Sequence, residues 1–209
     1  MRNVVRVALG LSIIAATLAV ARPASARFGR WVNFVNRNRA LNLGGPFFMG
    51  VAGNCNGTGP CTFNSGTRII VWANGNDGKN HDDQKWTTPD PGQGQAFVTN
   101  LLPSTTPQQA VLSIQGPDMK KEGQPVLVRD AVPGVPNASQ MWEIVPAEAY
   151  GATTFAGCFV FRNVNASQVA GVAAANLFNG ASVIQWPLFV GTAGQSTGWH
   201  PDQFWCPVP

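Results

Sequence analysis

"HDDQKW" at 81–86, "NASQMW" at 137–142 and "HPDQFW" at 200–205 end alike, each on glutamine, any residue, tryptophan. The chain has only 7 Trp, so three of them closing the same phrase point to an internal repeat. A second element falls in phase with the first. Each Q-x-W is preceded by a short apolar stretch: "GTRIIVW" at 66–72, "GQPVLVR" at 123–129 and "GASVIQW" at 180–186. Their opening residues, Gly66, Gly123 and Gly180, are 57 positions apart both times. Equal spacing was not a condition of the alignment and supports the repeat independently.

Further upstream, an early strand is expected in each copy, at "ALNL" 40–43, "VLSI" 111–114 and "QVAG" 168–171. Leu112 and Val169 both stand eleven positions before their glycine. The gap in the first copy is longer, and its excess contains "VAGNCNGTGPC", 51–61, which reads as an inserted loop stapled by its own disulfide. An F-x(1–2)-N element comes earlier still: Phe34 to Asn36, Phe97 to Asn100 and Phe161 to Asn163. Four short strands per unit give about twelve in all, over repeats at about 28–87, 95–145 and 155–209.

Composition agrees with an all-β chain. There are 23 Gly and 16 Pro, and only 11% of residues are charged, too few for long amphipathic helices. Three units of four strands make a β-trefoil with pseudo-threefold symmetry, a closed barrel capped by hairpins that removes most sheet edges. Trp86, Trp142 and Trp205 are then core residues meeting near the axis. Gln84, Gln140 and Gln203 are expected to bond local backbone through their amides.

The first 26 residues read differently. Arg2 and Arg6 precede an apolar run from Val7 to Val20, and "ASA" follows at 24–26. That is the pattern of a cleaved secretory signal, with 27–209 as a single secreted, extracellular domain. The run is short for a bilayer span, and no later stretch is long enough, so no membrane span is expected after cleavage. Loss of Arg2, Arg6 and Arg22 leaves 11 Lys and Arg against 10 Asp and Glu, a net charge near +1 in place of +4. A nucleic-acid partner, which needs a concentrated basic face, is not expected. Arg27, Arg30, Arg37 and Arg39 read as a solvated end.

Four cysteines in an exported chain suggest two disulfides. Of three possible pairings, Cys55–Cys61 and Cys158–Cys206 are favoured. Zinc is the alternative, but the chain has no C-x-x-C and only 2 His. No metal and no cofactor are expected.

With three Q-x-W units, each behind a G-x-x-[IV]-[IL]-x-W-like strand, residues 28–209 resemble the ricin B-chain type lectin domain. The resemblance implies carbohydrate binding, commonly of galactose-type sugars, in shallow pockets, one for each repeat. It implies an Asp on the early strand to accept sugar hydroxyls and a ring on the later strand to stack on the sugar. A polar residue just before the Q completes the set. Carried onto this chain, the first repeat offers Asn42, Trp72 and Asp83. The second offers Ser113, Arg129 and Ser139, with neither acid nor ring. The third offers Ala170, Trp186 and Asp202. No repeat has the full set, and the first and third come nearest.

Two other function classes are weighed. A protein- or cell-surface-interaction module, such as a toxin-delivery subunit that has lost sugar binding, is the alternative. "GGPFFMGVAG", 44–53, could supply an exposed apolar patch for such a partner, unless it folds onto the barrel. An enzyme is not expected. His81 and His200 lie beside Q-x-W phrases, and the adjacent loop acids Asp82 and Asp83 do not make a positioned nucleophile–base pair. The turn-rich "NGNDGKNHDD", 74–83, lacks the spacing of a calcium loop.

Overall fold

In the computed structural model, the structure describes residues 31–38, 46–53, 62–73, 81–88, 94–101, 108–115, 119–131, 137–175, 178–190 and 198–208. The leader expected at 1–26, Asn42 and the Cys55–Cys61 pair lie outside them.

The described residues are all-β, with short 3-10 turns and no α-helix. Thirteen strands run in order: β1 (Val32–Asn36), β2 (Phe47–Val51), β3 (Thr67–Ala73), β4 (Lys85–Thr87), β5 (Gln95–Ala96), β6 (Thr99–Asn100), β7 (Ala110–Ile114), β8 (Val126–Asp130), β9 (Trp142–Pro146), β10 (Phe159–Asn163), β11 (Val169–Val172), β12 (Ala181–Trp186) and β13 (Trp205–Val208). Every pairing is antiparallel. One set closes on itself: β1 pairs β4, β4 pairs β6, the neighbouring β5 pairs β9, β9 pairs β10, β10 pairs β13, and β13 returns to β1. The remaining strands form the hairpins β2–β3, β7–β8 and β11–β12.

The same hydrogen bonds recur three times. Gly66 N–H donates to Val128 O, Gly123 N–H to Gln185 O, and Gly180 N–H to Val71 O. Each bond runs from one repeat into the next, so the hairpins are joined in a ring. All three glycines have φ between +75° and +96°, a left-handed backbone that a side chain would strain. This accounts for the glycine at each of the three positions.

Trp86, Trp142 and Trp205 are fully buried at 0% exposure. Their indole Nε1–H groups donate to Met49 O, Leu112 O and Ala170 O at 2.9–3.0 Å. Asn36, Asn100 and Asn163 form a third set, donating from Nδ2 to the carbonyls of Asp202, Asp83 and Ser139 in the turn before each buried Trp. Gln140 and Gln203 donate from Nε2 to Asp130 O and Pro187 O, and Gln84 is buried.

These bonds revise the early strands. The first copy's strand that accepts the Trp indole is β2, Phe47–Val51; "ALNL" at 40–43 lies outside the described residues. Phe47, Phe48, Met49 and Val51 are buried, so this half of "GGPFFMGVAG" is an inner strand rather than an exposed patch. Met49, Leu112 and Ala170 are equivalent, which makes Gly50, Ser113 and Gly171 the next equivalent set. The loop before Gly180 is one residue shorter than that before Gly123, so counting back from the glycines puts the third copy one residue out of register. Side chains alternate faces along a strand, and a slip of one exchanges them. The second F-x-N element also shifts. Val98, two before Asn100, is fully buried where Phe34 and Phe161 are in the other repeats, and Phe97 is not part of that layer.

A satellite core lies beside the third repeat. Phe155 stacks on Phe204 with centroids 4.4 Å apart, Trp199 meets Phe204 edge-on, and the expected Cys158–Cys206 disulfide is present. Among the described residues no helix is long and apolar enough to cross a membrane. No group of three or more His, Cys, Asp or Glu among them is placed to hold a metal ion.

Candidate functional site

Each repeat carries three elements in corresponding places: the early strand, the end of the later strand and the short turn before the buried tryptophan. They present the early-strand residue just described, residue 72, 129 or 186, and the turn at 81–84, 137–140 or 200–203.

The third repeat holds a cleft of about 440 Å³. Gly171, Ile184, Trp186, Phe189, His200 and Asp202 line it. Trp186 is half-buried, and its ring edge lies near Gly123, whose added Cβ would stand 3.4 Å from Trp186 Cζ3. The opposite wall is a stack of Phe189 on His200, centroids 4.1 Å apart and planes within 21°. Phe189 is held by the Q-x-W glutamine, because its N–H donates to Gln203 Oε1 at 3.0 Å.

Asp202 is 7% exposed. Its Oδ1 accepts no hydrogen bond; His200 Nδ1 stands 3.6 Å away, beyond good bonding distance. Burial raises the carboxyl above the usual range, while His200 and the backbone N–H pull it down. An unpartnered buried acceptor of this kind costs free energy and calls for a donor.

The first repeat carries the corresponding residues. Trp72 is 45% exposed, and an added Cβ on Gly180 would stand 3.7 Å from its ring. Asp83 is buried with Oδ1 unpartnered. Burial pushes its carboxyl up to about 6, with His81 opposing and Asp82 assisting. The second repeat differs. Arg129 stands in the place of the ring. Ser113 Oγ and Ser139 Oγ are 3.4 Å apart, and Ser139 is further tied to Asn137 Oδ1.

Trp186 and Asp202 line the same cleft, and in the first repeat Asp83 lies against Gly50 of the early strand. Ala170 does not face the third cleft. Its carbonyl accepts the Trp205 indole, and Gly171 stands at the early position. Sequence reasoning missed Gly50, Gly171 and Phe189. The first two carry no side chain to notice, and Phe189 lies outside both repeated phrases. His81 and His200 were legible as the repeated first letter of "HDDQKW" and "HPDQFW".

No protein-family model matches the chain, and no curated protein matches it in sequence. Solved structures match in fold. ThreeFoil, a designed 3-fold symmetric protein, superposes with a TM-score of 0.56 at 18% identity, over 86% of this chain and 98% of that one. The Haemophilus ducreyi cytolethal distending toxin superposes at 0.53 and 11% identity, over 90% and 88%. The Macrolepiota procera ricin B-like lectin, solved in complex with lactose, superposes at 0.52 and 14% identity, over 86% and 94%. At these identities the likeness is one of fold: the chain is all-β and built like ricin B-like lectins and threefold-symmetric proteins.

Proposed function

We propose that the chain is a secreted β-trefoil of the ricin-B lectin type, without catalytic activity, that binds galactose-type glycans weakly in its first and third repeats. The observation that carries this reading is the third cleft, where the half-buried ring of Trp186 shares a pocket with Asp202, whose buried Oδ1 accepts no hydrogen bond. A flat ring matches the apolar C–H face of a pyranose. A buried carboxylate oxygen without a partner takes a hydroxyl donor with a charge-assisted bond. The three recurring sets of hydrogen bonds and the fold likeness to the lactose-bound lectin support the same reading. Two shallow sites on one chain give useful retention on a multivalent surface even when each is weak.

The test is a glycan array with the purified, disulfide-intact protein and its Trp72→Ala/Trp186→Ala variant. Selective retention on galactose-terminated glycans, lost in the variant, is the expected result. No retention on any glycan by the parent protein refutes the reading.

The alternative is a cell-surface or toxin-complex module that reaches a protein partner. Fold likeness to the cytolethal distending toxin along 90% of the chain favours it, as do the exposed aromatics Trp31, Trp72 and Phe178. Cell binding that competing sugars do not displace would select this second reading.

A further inference from the structure

The early strand and the turn compete for one volume in each repeat, and the repeats settle that competition in two ways. In the second, Ser113 and Ser139 share the floor. In the first and third, the strand position is glycine and the turn position is aspartate. An added Cβ on Gly171 would stand 3.0 Å from Gln203 Cγ and 3.2 Å from Asp202 Oδ2; on Gly50 it would stand 3.0 Å from Gln84 Cγ and 3.3 Å from Asp83 Oδ2. Those contacts are closer than packed side chains keep. The carboxylate lies over the bare strand, so a side chain there would have to push the acid and the neighbouring glutamine aside by a few tenths of an ångström. Neither glycine has the positive φ that would call for glycine on backbone grounds. The close approach of the turn is the feature the two glycines share.

Resting on the carbohydrate reading above, we propose that Gly50 and Gly171 are positioning residues: by leaving the strand bare they admit the turn-borne carboxylates of Asp83 and Asp202 as ligand-facing acceptors in two matched sites, selective for neutral or amino sugars. The unpartnered Oδ1 atoms take O–H or N–H donors from the sugar. An acidic sugar would set a second carboxylate against a buried one and is excluded by like-charge repulsion.

Protons compete with the ligand for the same oxygens. His200, on its own turn, is the titratable group that faces Asp202; β11 and β1, packed against that turn, carry no ionisable side chain. Asp83 is faced by His81 and by Asp82, which pairs with Lys85 at 2.9 Å; β2 and β6, packed on that turn, carry none. Burial already favours the protonated acid. Binding therefore weakens on acidification, by about tenfold per pH unit once below the carboxyl's folded pKa.

The test is calorimetric titration with lactose from pH 5 to 8 on the parent protein and two double variants. The parent should bind at pH 7.5 and lose about tenfold by pH 5. Asp83→Asn/Asp202→Asn should bind weakly with a flat pH profile. Gly50→Ser/Gly171→Ser, which places the second repeat's own residue on the other two strands, should lose about tenfold or more at pH 7.5 with an unchanged near-ultraviolet spectrum. If that variant does not fold, the reciprocal change decides. Ser113→Gly, Arg129→Trp, Asn137→His and Ser139→Asp together should raise the lactose stoichiometry from two to three. Parental affinity in the glycine variant, a flat profile in the parent, or an unchanged stoichiometry overturns the proposal while leaving the carbohydrate reading intact. No lactose binding by the parent at any pH overturns the galactose-type reading, and the proposal with it.

Discussion

Replacing Asp83 by Asn should make the protein more stable at neutral pH and worse at binding. Asp83 is buried at 9% exposure, with one carboxylate oxygen unpartnered, and burial pushes its carboxyl from 3.8 up to about 6. Below pH ~4 the group is protonated in both folded and unfolded chains and has no effect. Between about 4 and 6 the folded chain keeps a proton that the unfolded chain has lost, so stability falls as pH rises. Above 6 the full penalty stands. A shift of about two units at 1.36 kcal/mol each sets an upper limit of about 3 kcal/mol. Asparagine keeps the shape and drops the charge, but burying its amide gives back roughly 1 kcal/mol. The expected net gain at pH 7.5 is about 1–2 kcal/mol, read as a rise in Tm of about 2–8 °C. Thermal or urea unfolding of parent and variant at pH 7.5 and pH 4 measures it. The gain should shrink to within about 0.5 kcal/mol of zero at pH 4. A variant less stable than the parent at pH 7.5, or one with the same gain at both pH values, refutes the reasoning. A group whose removal stabilises the fold and weakens binding is one kept for its function.

The other predictions separate scaffold from site. Trp205→Ala removes a fully buried ring and its bond to Ala170 O and should cost about 3–5 kcal/mol in denaturant unfolding; Trp72→Ala, at 45% exposure, should cost under about 1 kcal/mol and lower retention on the glycan array. Cys158→Ser/Cys206→Ser opens a link between residues 48 apart and should lower stability by about 2–4 kcal/mol, read by urea unfolding of parent and variant without reducing agent. Gly123→Ala should lose about 1 kcal/mol, from a left-handed backbone at φ +75°, and should shift Trp186 fluorescence, since the new methyl meets that ring at 3.4 Å.

The features legible in the sequence were those tied to a fixed backbone bond. Q-x-W recurs because each Trp donates to a carbonyl at the same place, and Gly66, Gly123 and Gly180 recur because each donates across to the next repeat at positive φ. The early strands were harder. "FFMGV" does not stand at the distance from Gly66 that "VLSI" keeps from Gly123, because the inserted loop intervenes, and "QVAG" falls one out of register because the loop before Gly180 is one residue shorter. Both errors fall on the glycines beneath Asp83 and Asp202. A residue chosen for the space it leaves gives no positive signal in a single sequence. The acids were visible, yet their placement against a bare strand was not, since that depends on a register that loop length conceals.

The symmetric bonds also explain how three copies of one scaffold hold unlike pockets. The indoles donate to Met49 O, Leu112 O and Ala170 O, the asparagines to Asp202 O, Asp83 O and Ser139 O, and the glycines to Val128 O, Gln185 O and Val71 O. Every acceptor is a backbone carbonyl, so none of these bonds reads the side chain of the residue that accepts it. Asp83, Ser139 and Asp202 therefore receive the same clamp although one is a serine. The residues beside the indole acceptors, Gly50, Ser113 and Gly171, are equally free to change. What constrains them is each other, through the volume that the strand and the turn share. Variation in the pockets should then be paired, glycine with acid and serine with serine, while the Trp, Asn and Gly frame stays fixed around it.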